Sequence, residues 1–142
     1  MESIRKIIQI EEPAEAKYPQ SKELFKFLKR VVMAALEVDD PEKLSDIQIG
    51  KLVGYGYEET SRWKHGRIKL DSAEKLMVLH EKLKIDEYLL LGVSTGRMDS
   101  EMAFKIWNFC YKTMNEYKKE KLIAYLKSKK IDFKLVILKF RE

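Results

Sequence analysis

A mainly α fold is what this sequence predicts: a bundle of five short helices, a helical extension after it, and strand-like segments at the two ends. Three observations predict it. Apolar residues recur at three- and four-residue spacing in one segment after another. Helix-start signatures head two of those segments, Ser45 with Gln48 and Asp71 with Glu74. Glycines stand where several of them stop, at Gly54, Gly66 and Gly92.

The elements follow in order. Residues 1–20 form an arm in which IRKIIQI is a possible strand. Segment 21–37 carries Leu24, Leu28, Val31 and Ala35 on one stripe, with Ser21 as its expected N-cap. VDDPEK breaks it. A second helix opens at Ser45 and stops at Gly54, and a third, about 57–65, stops at Gly66. Asp71 and Glu74 open a fourth with Leu76, Leu79 and Leu83 in line. Asp86 caps a fifth, EYLLLG. The segment GVSTGRMD, 92–99, reads as a boundary or hinge. A longer helix then runs from Ser100 into the 120s, with a possible break near Glu116–Lys121. IDFKLVILKF reads as a terminal strand. The expected domains are therefore an arm (1–20), a helical domain (21–92) and an extension (99–142).

Composition narrows the function. A chain of 142 residues with 45% apolar content suits one domain, or a small domain with an appendage. Lysine and glutamate dominate the charges, and there are only two asparagines and three glutamines, a bias resembling proteins from hot environments. The net charge of +5 is uneven: residues 44–70 carry +2 and residues 117–142 carry +6. Nucleic acid is the common partner of such basic regions, although lysines also simply solvate surfaces. No apolar run is long enough for a membrane span, and MESIRKIIQIEEP lacks the apolar core and cleavage site of a signal peptide. A soluble cytoplasmic protein without membrane association is expected. The single cysteine, Cys110, excludes an internal disulfide, and its apolar helical surroundings predict a buried side chain.

The stretch GYGYEETSRWKHGR, 54–67, is the most informative. A short helix, a tight glycine-containing turn and a second short helix give the geometry of a helix-turn-helix. Gly54 supplies a turn that needs positive φ. Gly50 lets the second helix approach the first, and Trp63 is the apolar anchor of the second helix.

Residues 44–67, LSDIQIGKLVGYGYEETSRWKHGR, resemble the Cro/repressor-type, or xenobiotic-response-element (XRE-like), helix-turn-helix. Leu44, Ser45, Ile49, Gly50, Val53, Gly54, Ser61, Arg62, Trp63 and Gly66 fill the places of that pattern without a gap, and the resemblance extends over residues 21–92. It implies a five-helix bundle and a transcription regulator, repressor-like, that binds double-stranded DNA as a homodimer. Its recognition helix begins at Tyr57, with Tyr57, Glu58 and Arg62 at base-reading positions. Ser45, Asp46, Ser61, Lys64, His65, Arg67 and Lys69 fall at phosphate-contacting positions. Five positions depart from the pattern: Gly56 replaces a serine or threonine cap, Thr60 an inward aliphatic, and Asp46 a glutamine, and Glu58 and Glu59 bring negative charge to the groove-facing end.

Each of these residues also has a plainer role. Acidic residues in a first helical turn stabilise the helix by about 0.3–1 kcal/mol each, whereas a glutamate facing the groove accepts from cytosine N4. Arg62 either forks onto guanine or pairs with a phosphate or with Glu58 four residues back. His65 is an exposed helix-end histidine and His80 a core-edge one; no metal-ligand spacing surrounds either. GVSTGR lacks the spacing of a phosphate loop, and neither Ser94 nor Thr95 has an evident base, so neither an enzyme nor a cofactor is expected. Residues 99–142 either form the dimer interface or pack onto the bundle as one larger core. The alternative function is a helix-turn-helix-shaped module for a protein partner, such as an antitoxin-like subunit.

Overall fold

The computed structural model describes residues 16–70 and 72–131. Among the described residues the chain is mainly α, with no strand. The helices are α1 (Pro19–Ala35), α2 (Asp46–Lys51), α3 (Tyr57–Lys64), α4 (Ala73–Leu83), α5 (Glu87–Ser94), α6 (Ser100–Thr113) and α7 (Glu116–Ser128), with one 3-10 turn at Pro41–Lys43. IRKIIQI, Asp71 and all of IDFKLVILKF except Ile131 lie outside the described residues.

Helix α1 starts two residues earlier than its sequence suggests. Pro19 occupies the first turn, where its fixed φ suits a helix and its missing N–H is not needed. Ser21 is therefore not the cap. It is buried inside α1, and its hydroxyl accepts from the Leu70 N–H at 2.9 Å. That bond ties the end of the connection after α3 to the central helix. Within VDDPEK, Asp40 caps the 3-10 turn by accepting from the Glu42 N–H at 3.0 Å.

At α2, the expected start is present: the Gln48 side-chain oxygen accepts from the Ser45 N–H at 3.1 Å. At α4 the N-cap residue is Ser72, not Asp71. Asp86 caps α5 by accepting from the Tyr88 N–H at 2.8 Å. Helix α5 runs through Gly92 to Ser94, and the Arg97 and Met98 N–H groups both return to the Gly92 carbonyl. Asp99 then caps α6, and the Ser100 N–H donates to the Glu23 carboxylate of α1 at 3.0 Å. Residues 95–99 thus form a tight turn fastened at both ends. The long helix expected from Ser100 is two helices. It breaks at Met114–Asn115, ahead of the expected stretch, because Asn115 caps α7 by accepting from the Lys118 N–H at 2.9 Å.

One apolar core serves the whole described chain. It includes Leu24, Phe27, Leu28, Val31 and Val32 of α1, Ile49, Trp63, Leu79 and Leu83, Ala103, Trp107, Leu122 and Leu126 from the last two helices, and Ile131 just beyond them. Helix α1 is its axis. It packs on α6 more extensively than on any other helix, and it also meets α3, α5 and α7. The described part of the extension, residues 99–131, therefore belongs to the same core as the helices before it.

Candidate functional site

The candidate site is the α2–turn–α3 unit and the segment after it. Its turn is made by backbone constraint. Gly54 has φ +77°, a conformation that side-chain-bearing residues rarely adopt. Gly50 faces Thr60 so closely that a Cβ built on it would lie 1.8 Å from the Thr60 Oγ1. Only a glycine at that place lets α3 sit against α2 at this distance.

Thr60, the polar residue in an inward place, is buried, and its hydroxyl donates to the Gly56 carbonyl at 2.7 Å. The buried hydroxyl is thus satisfied within its own helix. Glu59 resolves the weak cap at Gly56: its carboxylate accepts from the Gly56 N–H at 3.3 Å. That is one half of a capping box, and the half that glycine cannot supply is missing. Trp63 is fully buried, with edge-on contacts to Phe25 at 5.0 Å and to Tyr55 at 5.8 Å between ring centroids. Gly66, at φ +69°, ends the unit, and its carbonyl accepts from the Tyr18 N–H at 2.8 Å. A Cβ there would come within 2.7 Å of the Ala16 Cβ.

The outer face of α3 is polar and open. Tyr57 is 81% exposed, and Glu58, Ser61, Arg62 and Lys64 are exposed beside it. Among the described residues no ion pair joins Arg62 to Glu58, so the guanidinium is not tied down by its neighbour. His65, Arg67 and Lys69 are exposed just beyond the helix. The His65 ring places Nδ1 2.8 Å from the Ser61 carbonyl, which makes Nδ1 a donor and leaves Nε2 on the outer side of that bond. Ser45 is exposed at the head of α2. The structure thus gathers Tyr57, Glu58, Ser61, Arg62, Lys64 and His65 on and around one short helix, with Ser45 and Asp46 at the adjoining helix start.

Asp46 has an internal role that its place in the sequence did not show. Its two carboxylate oxygens receive two ammonium groups: Lys29 of α1 at 2.9 Å and Lys64 of α3 at 2.6 Å. Partial burial works to raise the Asp46 pKa. The hydrogen bonds and charges of Lys64 and Lys29 outweigh it and hold the carboxyl below the usual carboxylate range. Asp46 therefore fastens α1, α2 and α3 together, and Lys64 is engaged in that clasp rather than free on the surface.

One side chain elsewhere differs from expectation. Cys110 is exposed, not buried. Helix α6 is apolar on more than one face, and the face that packs is Ala103–Trp107, with Phe104 and Tyr111 alongside. Met102, Ile106 and Phe109 are left outside with Cys110, Phe109 at 72% exposure. His80 is half-buried at the core edge, as expected, with Nδ1 2.7 Å from the Ile85 carbonyl. Among the described residues no group of His, Cys, Asp and Glu could hold a metal ion, and no helix is long and apolar enough to cross a membrane.

Sequence reasoning also missed a row of cations on α1. Lys22, Lys26, Lys29 and Arg30 recur at helical spacing, and with Lys64 and His65 they border a groove beside the α2–α3 unit. The signal was legible in the spacing, but the stripe that draws attention in this segment is the apolar one on its opposite side. No family model, no curated protein and no solved structure matches this chain.

Proposed function

We propose that the chain is a sequence-specific, double-stranded DNA-binding transcription regulator, repressor-like, built on a five-helix bundle of the Cro/repressor type. In this proposal α3 enters the major groove. Tyr57, Glu58 and Arg62 read base edges, and Ser45, Asp46, Ser61, Lys64, His65, Arg67 and Lys69 lie where that type of protein meets phosphate. The observation that carries it is the two-sidedness of α3. Thr60 and Trp63 are buried while Tyr57, Glu58 and Arg62 are exposed, on a helix held against α2 by the Gly50–Thr60 contact. A helix so fixed can hold its outer side chains in register with base edges. The proposal includes no chemical step and no cofactor, and it places the protein in the cytoplasm with its DNA.

The acidic pair fits this reading with divided roles. Glu59 is spent on the Gly56 N–H. Glu58 is exposed one position earlier and accepts from cytosine N4 in the proposed complex. Asp46 serves its phosphate-side position through Lys64, whose ammonium it holds at 2.6 Å.

One recognition helix covers only a few base pairs, so the proposal includes a homodimer reading two half-sites. The exposed apolar face of α6, Met102, Ile106 and Phe109, is the surface offered to the second copy. Glu101 and Lys105 border it with opposite charges, 3.6 Å apart, so a twofold-related copy can meet opposite rather than like charge. The same face favours a second reading, a module that holds a different protein.

Selection of bound duplexes from a random DNA pool tests the proposal. An enriched half-site repeated at one spacing is expected. On single-base variants of that site, Glu58→Gln changes the preferred base, and Arg62→Ala relaxes preference at a neighbouring pair at a cost of about 1–3 kcal/mol. Phosphate contacts also give a log-affinity slope against log salt of about −0.9 per phosphate. No enrichment, together with salt-insensitive capture of a protein, replaces the first reading with the second.

A further inference from the structure

Beside the α2–α3 unit lies an open groove of about 520 Å³ that runs along α1. Phe25 and Met33 of α1 and Pro41 form apolar parts of its wall. Its volume falls in the range of small-molecule sites, about 300–1,000 Å³. Its border is cationic. Lys22, Lys26, Lys29, Arg30 and Lys64 line it, against Asp46 in the groove and Glu23 beside it, which pairs with Lys26 at 3.2 Å. Five basic side chains facing two carboxylates leave a formal excess of three positive charges at pH 7.

The groove already shows what it can hold. The Asp46 carboxylate sits between two ammonium groups, one per oxygen. Among the described residues neither Lys22 nor Arg30 enters an ion pair, and Arg30 lies over the Phe104 ring at 4.1 Å. Lysine stems cover apolar surface while their heads stay in water. A ligand that matches both features has an apolar body and one anionic end. A polyanion such as a nucleic-acid backbone would use the border and leave the apolar wall uncovered.

We propose that this groove binds an apolar carboxylic acid, of medium-chain or aromatic type. The acid group meets Lys29 and Lys64 in competition with Asp46, and the apolar body lies along Met33 and Pro41. The competition makes a distinctive demand: removing the Asp46 charge should tighten binding of the acid, because it frees two ammonium groups.

The test uses the full chain, anilinonaphthalene sulfonate as the fluorescent probe, and decanoate as the competing acid. One saturable probe site is expected, with decanoate displacing the probe and the neutral decanol weaker by about tenfold or more. Asp46→Asn should strengthen decanoate about tenfold and leave decanol unchanged, and Lys22→Gln with Lys26→Gln should weaken decanoate by several-fold. All three substituted side chains lie at the surface or its edge, and unfolding curves establish that the variants are folded. Tyr88→Ser, at an exposed position on α5 outside the lining of the groove, should leave the signal as it was. Equal competition by decanoate and decanol, an Asp46→Asn variant with unchanged decanoate affinity, or loss of the probe site in Tyr88→Ser overturns the proposal. No DNA is present in any arm, so the result is separate from the reading of α3.

Discussion

Helices α3 and α6 are built alike on the inside and oppositely on the outside. Each is anchored by one tryptophan that is essentially inaccessible, Trp63 and Trp107. Each indole N–H is buried without a hydrogen-bond partner among the described residues. Both rings therefore hold their helices by apolar burial and ring contacts: Trp63 edge-on to Phe25 and Tyr55, Trp107 stacked on Tyr111 at 4.6 Å. The outer faces differ. Helix α3 shows tyrosine, glutamate, arginine and lysine; α6 shows Met102, Ile106 and Phe109. A polar face costs nothing to leave in water and suits a charged, hydrated partner. An apolar face of large side chains gains free energy only when something covers it.

The largest test of this comparison removes the shared anchors. Trp63→Ala and Trp107→Ala should each cost about 3–5 kcal/mol, measured by urea unfolding. A small loss in one of them breaks the equivalence of the two inner faces. Next comes the closeness of α2 and α3. Gly50→Ala should destabilise by about 1–3 kcal/mol, since a methyl group must displace Thr60. Adding Thr60→Ala should recover part of that loss; if the double variant is no better than the single one, the clash is not the cause.

The clasp at Asp46 should matter less, because its partners are partly solvated. Asp46→Asn should lose about 1 kcal/mol near neutral pH. The sign of its pH dependence follows from the depressed pKa. The stabilisation is complete above the unfolded carboxylate value of about 3.9 and fades as pH falls through the lower folded value. The parent and Asp46→Asn stabilities should therefore converge in acid, and a gap that widens there contradicts the clasp. Glu59→Gln should cost under ~1 kcal/mol, because the amide oxygen can still accept from Gly56 while the charge at the helix start is lost. Smallest for the fold is Phe109→Ser, within about 0.5 kcal/mol for an exposed site. In sedimentation it should turn a dimer into a monomer, while Arg62→Ala leaves association as it was. If the parent is monomeric at high concentration, the α6 face belongs to another partner.

What the sequence alone determined here is mostly local. Positive φ at Gly54, the glycine at Gly50, the anchor at Trp63 and the starts at Ser45 and Asp86 could all be read from it. Each depends on residues within a few positions, or on a backbone conformation that only glycine adopts easily. The outer residues of α3 were expected from the resemblance of residues 44–67 to a helix-turn-helix, and Tyr57, Glu58 and Arg62 are exposed.

Tertiary structure decided what joins distant parts of the chain. Asp46 finds Lys29 and Lys64, 17 and 18 residues away, and so becomes a clasp between three helices. Ser21 caps nothing and instead receives the N–H of Leu70, 49 residues on. Helix α6 has apolar residues on more than one side, so periodicity could not say which stripe would be buried. Packing against α1 chose Ala103 and Trp107 and left Phe109 and Cys110 outside. The same choice merged residues 99–131 into one core with the helices before them, because burial depends on which surfaces meet, and spacing along a chain defines the surfaces without pairing them.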